Sequence, residues 1–334
     1  MLRKQSGCTE NKVLPYLTID DLEQDMFDKV RKQISLYRPG HLWTTLTNHE
    51  ILVSAGMWLK DPTTGKDGYT LAAALLFGTE RTLTSVVPFY KIDALCRRHN
   101  TDLYDARDLI HCNLLRAYDR LMAFGRQNLP EWPYIEGDQR KSLRDILMRE
   151  VIMNLLIHAE YGSRHDSKFT IWKDQVEVVN WNIPYGYGLI TLDNLRPHAK
   201  NPAIANFFAQ LGIVEELGRG TRALYEYVPK ISGGQMPVIE EMDEFKVIIP
   251  YQDEEATAYT TEKSKEKSKE KSKEKSKEKV LALIKGDPHI TTVQLMAECQ
   301  LSEHAIYKII RQLRESGIIK REGGRKDGFW KVLK

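Results

Sequence analysis

A chain of 334 residues, 42% hydrophobic and 28% charged, is long enough for two or three domains and apolar enough to bury a sizeable core. No apolar run approaches the roughly 18 to 20 residues needed to span a bilayer, and the N-terminus lacks the apolar stretch of a secretory signal. Cys8, Cys96, Cys112 and Cys299 are scattered, with no CxxC pair, so the spacing suggests neither a disulfide framework nor a zinc site and fits a reducing cytoplasm.

The net charge of +3 conceals an asymmetry. Residues 262–334 carry 19 Lys and Arg against 11 Asp and Glu, a net of +8, which leaves −5 for residues 1–261. A basic end on an acidic body points to a polyanion partner at the C-terminal end.

In chain order, residues 1–17 show little periodicity and read as an N-terminal extension. Thr18 opens a helix with acids in its first turn. A second helix is expected around Asn48 to Leu59, stopped by Asp61-Pro62 and the Thr64–Gly68 turn. Thr70 to Gly78 reads as a short buried helix ended by glycine, Leu83 to Tyr90 as β-prone, and Leu109 to Asn128 as helical. Residues 18–135 form a mixed intermediate region without catalytic spacing, and His99, His111 and Asp105 are isolated polar residues with surface or structural roles.

The pattern sharpens from Ser142, in a segment set at residues 136–252. Glu150, Asn154 and His158 recur every four residues, so a helix running to about Ala159 carries one polar seam on a surface that is otherwise apolar. Such a seam needs partners, either neighbouring loops or a ligand. Lys168 to Trp172 and Gln175 to Asn180 alternate around Lys173-Asp174 and predict a β-hairpin. A loop rich in Pro, Gly and Tyr follows, then a helix from Asn201 to Gly212, another from Arg222 to Tyr227, and a strand from Phe245 to Pro250. The expected fold is an α/β layered one, a mixed sheet with helices on one face.

Residues 253–279 form a charged linker in which Glu-Lys-Ser-Lys occurs four times in succession from Glu262 to Lys277. With no apolar residue in the repeat, it reads as a solvated tether. Residues 280–334 then read as a winged helix. Three short helices precede a hairpin formed by Ile318 to Arg321 and Phe329 to Val332. In the third helix Ala305, Ile306, Ile309, Ile310 and Leu313 form the buried stripe, and His304, Tyr307, Lys308 and Arg311 the exposed one. That exposed stripe suits the major groove of double-stranded DNA, and Arg325 and Lys326 at the wing tip suit a phosphate or minor-groove contact.

The seam and a later Gly218-Arg219-Gly220-Thr221 resemble the helix and glycine-loop arrangement of GHKL (Bergerat-fold) ATPases. More closely, Asn154-x-x-x-His158-x-x-Tyr161, Asn201-Pro202 and Leu211-Gly212-x-x-Glu215-x-x-Gly218-Arg219-Gly220 resemble the RecG-like C-terminal, GHKL-type domain. That domain occurs in predicted transcriptional regulators that carry an AlbA-like Schlafen domain and a C-terminal helix-turn-helix. The resemblance spans about Thr18 to Pro250, and the chain begins near the end of the expected AlbA-like domain, as a truncated or divergent member would. It implies ATP and Mg²⁺ as ligands, with Asn154 as the Mg²⁺ oxygen donor and Glu150 orienting or deprotonating water. Asn154, His158, Asn180, Gly218, Arg219, Gly220 and Thr221 would then line the nucleotide site, with backbone amides at a helix start cradling phosphate. One departure stands out: the family's acid after the hairpin, which reads adenine, is replaced by Asn180.

The leading expectation is therefore a DNA-binding transcriptional regulator, homo-oligomeric, whose GHKL-like domain is a sensor or platform. An ATP-dependent enzyme, ATPase or kinase, is the alternative, although no helicase motifs are present. A non-enzymatic interaction module in stress or phage defence is the third.

Overall fold

The computed structural model describes residues 9–100, 102–196, 198–214, 219–252, 276–299, 301–323 and 329–333. The chain divides into two compact units, Met1–Asp253 and Glu254–Lys334. No helix among the described residues is long and apolar enough to cross a membrane.

The first unit, the body, is an α/β layered domain. Its main sheet is built from β4 (Ile92–Arg97), β5 (Ala106–Ile110), β8 (Ser167–Trp172), β9 (Gln175–Trp181), β10 (Gly188–Leu189), β11 (Val238–Glu241) and β12 (Glu244–Pro250). These seven strands lie in the order β10-β11-β12-β9-β8-β4-β5, antiparallel except for the parallel pair β4 and β8. Alternation places Ile92, Ala94, Val176, Val178, Phe245, Val247 and Ile249 on one buried face. Two helices cover it: α5 (Leu114–Asn128), capped by Asn113, and α6 (Leu143–Ile157), capped by Ser142. They cross closely at Gly125, where an added Cβ would press on Met148.

Ahead of the sheet lie α1 (Gln24–Tyr37), α2 (Asn48–Ser54), α3 (Leu71–Phe77) and α4 (Glu80–Val86), with the short strands β1 (Val13–Leu14), β2 (Trp58–Lys60) and β3 (Asp67–Thr70). Every residue of α3 is buried. Phe77 stacks on Phe27 at 4.1 Å between ring centres and meets Phe207 edge-on, while Phe207 also stacks on Trp43. Phe207 belongs to α7 (Pro202–Gln210), so this aromatic cluster joins the N-terminal helices to the later half of the body. Two further elements complete the body: the β6 (Pro133–Glu136) and β7 (Gln139–Ser142) hairpin, and α8 (Arg219–Ile231).

Several expectations change here. Residues 9–17 are part of the body: β1 pairs with β3, Glu10 is fully buried, and Leu14 and Leu17 join the core. The expected division at residues 135 and 136 falls within one sheet and one core. The β-prone stretch from Leu83 contains the end of α4, because Thr79 caps that helix through Thr82 N and overrides β propensity. The helix from Asn48 stops at Ser54, since Gly56 at φ +72° turns the chain into β2. Leu109 belongs to β5, and the helix starts after the Asn113 cap.

The second unit contains α9 (residues 276–286), α10 (Thr292–Cys299), α11 (Glu303–Glu315) and a hairpin of β13 (Ile319–Glu322) with β14 (Phe329–Val332). Its core is Val280, Ile284, Ile290, Leu295, Ile306, Ile310, Leu313 and Ile319. Helix α9 is already formed at Ser276, so the expected linker end at residue 279 lies inside it; residues 253–275 are outside the described residues. The architecture is three helices and a wing, as the sequence predicts.

The aromatic junction gives a direct test. Phe207→Ala should destabilise the body by about 3–5 kcal/mol in urea unfolding, with the second unit unaffected.

Candidate functional site

Helix α6 carries the seam, and the structure divides it into two different environments. At its C-terminal end the last carbonyls are bonded inside the body. Asn180 Nδ2 on β9 donates to Leu155 O at 2.8 Å, Tyr161 Oη donates to Leu156 O at 2.7 Å, and Asn201 Nδ2 donates to both Ile157 O and Ala159 O at 2.8 Å. Asn180 is 1% exposed, and its Oδ1 accepts from Ser167 Oγ at 2.6 Å. Its amide group is bound through both atoms within the fold, which corrects the adenine-reading role implied for it.

His158 also faces inward. Its ring stacks on Phe245 at 4.6 Å, edge-on to His198, and its Nδ1 is enclosed with no hydrogen-bond partner among the described residues. Burial, with the charges of His198 and Lys200 nearby, pushes its pKa down to about 3. Beside it the buried Lys200 ammonium lies 3.4 Å from Glu160 and 3.4 Å from Ile183 O. Stacking on a core phenylalanine makes His158 a packing element, which differs from the nucleotide-contact role the resemblance implies.

The N-terminal half of the helix differs. Glu150 is 6% exposed, with Oε1 3.3 Å from Arg149 Nε. Its Oε2 lies so close to Gly220 that a Cβ there would overlap it, so glycine at this position lets α8 touch α6. Asn154 Nδ2 donates to Glu150 O at 2.8 Å, one turn back on its own helix. Arg219, Gly220 and Thr221 form the start of α8, with Arg219 exposed. Gly218 lies outside the described residues.

Beside this contact the two helices bound a cleft of about 600 Å³, whose lining includes Glu150, Arg149, Arg219, Arg222 and Tyr227. Of the residues expected at a nucleotide, Glu150 and Arg219 line it, and Gly220 abuts it through Glu150. His158 and Asn180 serve the opposite end of α6. Sequence reading missed Arg149, Arg222 and Tyr227. Their signal was available, as Arg219, Arg222 and Tyr227 recur at i, i+3 and i+8 on one face of α8.

The Mg²⁺ and ATP implied by the resemblance fit this arrangement poorly. Glu150 is already engaged by Arg149 and packed on Gly220, and no group of three or more His, Cys, Asp or Glu side chains that could hold a metal occurs among the described residues.

In the second unit, Ser302 caps α11 by accepting from Ala305 N, and Ile306, Ile310 and Leu313 are buried. Tyr307 is 55% exposed, and Lys308 and Arg311 are exposed on the same side, with Arg311 3.8 Å from Glu315. On the wing, Lys320 and Lys331 stand directly opposite one another, and Arg321 lies over the Trp330 ring. Like charges facing across a hairpin repel, and Glu322, 3.4 Å from Lys331, offsets part of that repulsion. The side chain of His304, and Arg325 and Lys326, lie outside the described residues.

Comparisons with known proteins match the two ends of the chain. Residues 273–320 match a family model described as winged helix-turn-helix DNA-binding. Residues 1–93 match one described as a domain of unknown function, DUF8451. No curated protein matches. Among solved structures, the chain is similar to the DIP2311 protein from Corynebacterium diphtheriae at 18% identity and a TM-score of 0.55. The match covers 98% of this chain and 64% of that one. At that identity the likeness shows the fold alone. The class is a mixed α/β body followed by a winged helix domain.

Two outcomes test the inward end of α6. Asn180→Asp removes the donor to Leu155 O and sets a carboxylate against a carbonyl, so it should destabilise the body by about 1–3 kcal/mol or more. His158 binds no proton in the folded state until far below its unfolded pKa near 6.5, so stability falls as pH drops below about 6.5. Between pH 7 and 5 the native chain should lose about 2 kcal/mol more than His158→Phe, measured by urea unfolding of the body.

Proposed function

We propose that this protein is a DNA-binding transcriptional regulator. In this reading α11 enters the major groove of double-stranded DNA, with Tyr307, Lys308 and Arg311 reaching base edges and phosphates. The wing rests on the backbone through Lys320, Arg321 and Lys331. His304, Arg325 and Lys326 join the proposal on their sequence positions alone. The observation that carries it is the exposed Tyr307, Lys308 and Arg311 stripe on a capped helix, in a segment similar to winged helix-turn-helix DNA-binding domains.

The body is read as a GHKL-like scaffold that senses a ligand, without ATP hydrolysis. Support for the scaffold comes from the Glu150 and Asn154 seam on α6, the β8–β9 hairpin behind it, and α8 beginning at Arg219-Gly220. ATP hydrolysis has no support here because Glu150, the implied water-orienting residue, is engaged by Arg149 and packed on Gly220. A homo-oligomer fits paired half-sites on the duplex.

The double variant Lys308→Ala/Arg311→Ala tests the DNA reading. Affinity of the full chain for duplex DNA near physiological salt should fall about tenfold or more, and the slope of log affinity against log salt should shrink by about 1 for each phosphate that the variant leaves unneutralised. Unchanged affinity and slope would remove α11 as the DNA-reading element.

A further inference from the structure

Helices α5 and α6 cover one face of the seven-stranded sheet, over Ile92, Ala94, Val176 and Val178, while alternation turns Asp93, Leu95 and Arg97 of β4 to the other face. The register carries that second face across the sheet: Leu95 lies beside Thr170, Thr170 beside Glu177, and Glu177 beside Ile248. Leu95, Val179 and Ile248 are half-buried, yet among the described residues none belongs to the core or packs against it. Leu109 and Val238, toward the two edges, are 50% and 39% exposed. The solvated side of an antiparallel sheet is ordinarily polar, so large apolar residues spread across it mark a contact surface.

The charges on this open face select the partner. The acids are Asp93, Glu177, Glu240 and Glu244. Arg97, Arg107, Lys168 and Lys246 match them in number. A face without net charge gives little hold to a polyanion and suits a partner that carries both signs. A second copy of the same face is such a partner when the symmetry axis brings opposite charges together.

The register decides where that axis lies. One row reads, from β11 to β4, Glu240, Lys246, Val179, Lys168 and Asp93. A twofold axis along β9 would set Lys246 against the copy's Lys168 and Glu240 against the copy's Asp93, which repels. An axis along the strands between β8 and β4 sets Lys168 against the copy's Asp93 instead. The next row then opposes Thr170 to the copy's Leu95 and Glu177 to the copy's Arg107, and the row beyond it opposes Trp172 to the copy's Arg97. Sheets stacked about 10 Å apart let such side chains meet. Within one chain these groups are partly engaged: Arg107 holds Asp93 bidentately, and Trp172 Nε1 donates to Glu177 at 3.1 Å. Lys168 is exposed with no hydrogen bond or ion pair among the described residues, and Arg97 lies over Trp172 with its Nε enclosed and without a hydrogen-bond partner there.

We propose that the open sheet faces of two copies pack together about a twofold axis between β8 and β4, with Lys168 of each chain against Asp93 of the other. This deepens the homo-oligomer of the regulator reading, on which its use rests, by naming the surface, and the dimer forms without DNA.

Sedimentation velocity of the full chain, without DNA and at low ionic strength, tests it. The native chain should self-associate with a dissociation constant below about 100 µM, and more weakly as salt rises. Lys168→Glu, at an exposed position, and Asp93→Lys should each weaken association about tenfold or more, since each sets like charges across the axis twice. An equimolar mixture of the two variants should recover it, because the two reversed charges then meet. Three results would overturn the proposal: a chain that stays monomeric up to about 500 µM, a Lys168→Glu chain that associates as the native one does, or no recovery on mixing two variants that each melt like the native chain. DNA affinity measured on the same samples separates the two readings. Salt-sensitive DNA binding by a chain that stays monomeric rejects this proposal alone, whereas a dimer without DNA affinity rejects the regulator.

Discussion

The terminal carbonyls of α6 are the constraint on which the body depends. A helix that ends inside a protein leaves its last carbonyls without intrahelical donors, and burying them unpaired costs stability. Here Asn180, Tyr161 and Asn201 supply the donors to Leu155, Leu156 and Ile157. These three residues come from a strand, from the turn after the helix and from the start of α7. One helix end therefore fixes the hairpin, the turn and the next helix together. His158, the residue after the helix, stacks on Phe245 of β12.

The same helix is free of that duty at its other end. Ser142 caps the N-terminus, and α8 comes close at Gly220, which lacks a side chain. The polar residues that follow on both helices then bound open space. A seam that looks continuous in sequence thus has a structural half and a half exposed to the cleft. Glu150 and Asn154, one turn apart, mark the change between them.

Much of the fold was legible because its signals are local. The β8–β9 hairpin shows as two alternating runs around a two-residue turn, α3 as an unbroken apolar run before Gly78, and the winged helix as a capped amphipathic helix before a hairpin. Strand β4 escaped because its parallel partner β8 is distant in sequence, β5 and β11 because charged residues break up their short apolar pattern, and β10 is only two residues long. Residues 9–17 lack periodicity, yet they are held by pairing with β3, which no local pattern announces. The site was legible only in part. Spacing grouped Glu150, Asn154 and His158 on one line, but it could not show that Asn180 and Phe245 close one end of that line. Nor could it show that Arg149 and Arg222 would line one cleft.

The basic character of the C-terminal segment has its clearest expression in side chains that the winged helix core does not need. Ile306, Ile310 and Leu313 hold α11 in place, leaving Tyr307, Lys308 and Arg311 for a partner. Lys320 and Lys331 face each other across the hairpin, with Lys331 3.4 Å from Glu322. The central claim is that DNA is met by this unit and not by the body. Hydrogen–deuterium exchange of the full chain, with and without duplex DNA, tests it most directly. New protection confined to α11 and the β13–β14 wing is the predicted result. Protection appearing in α6 and β9, with α11 and the wing unchanged, would contradict it.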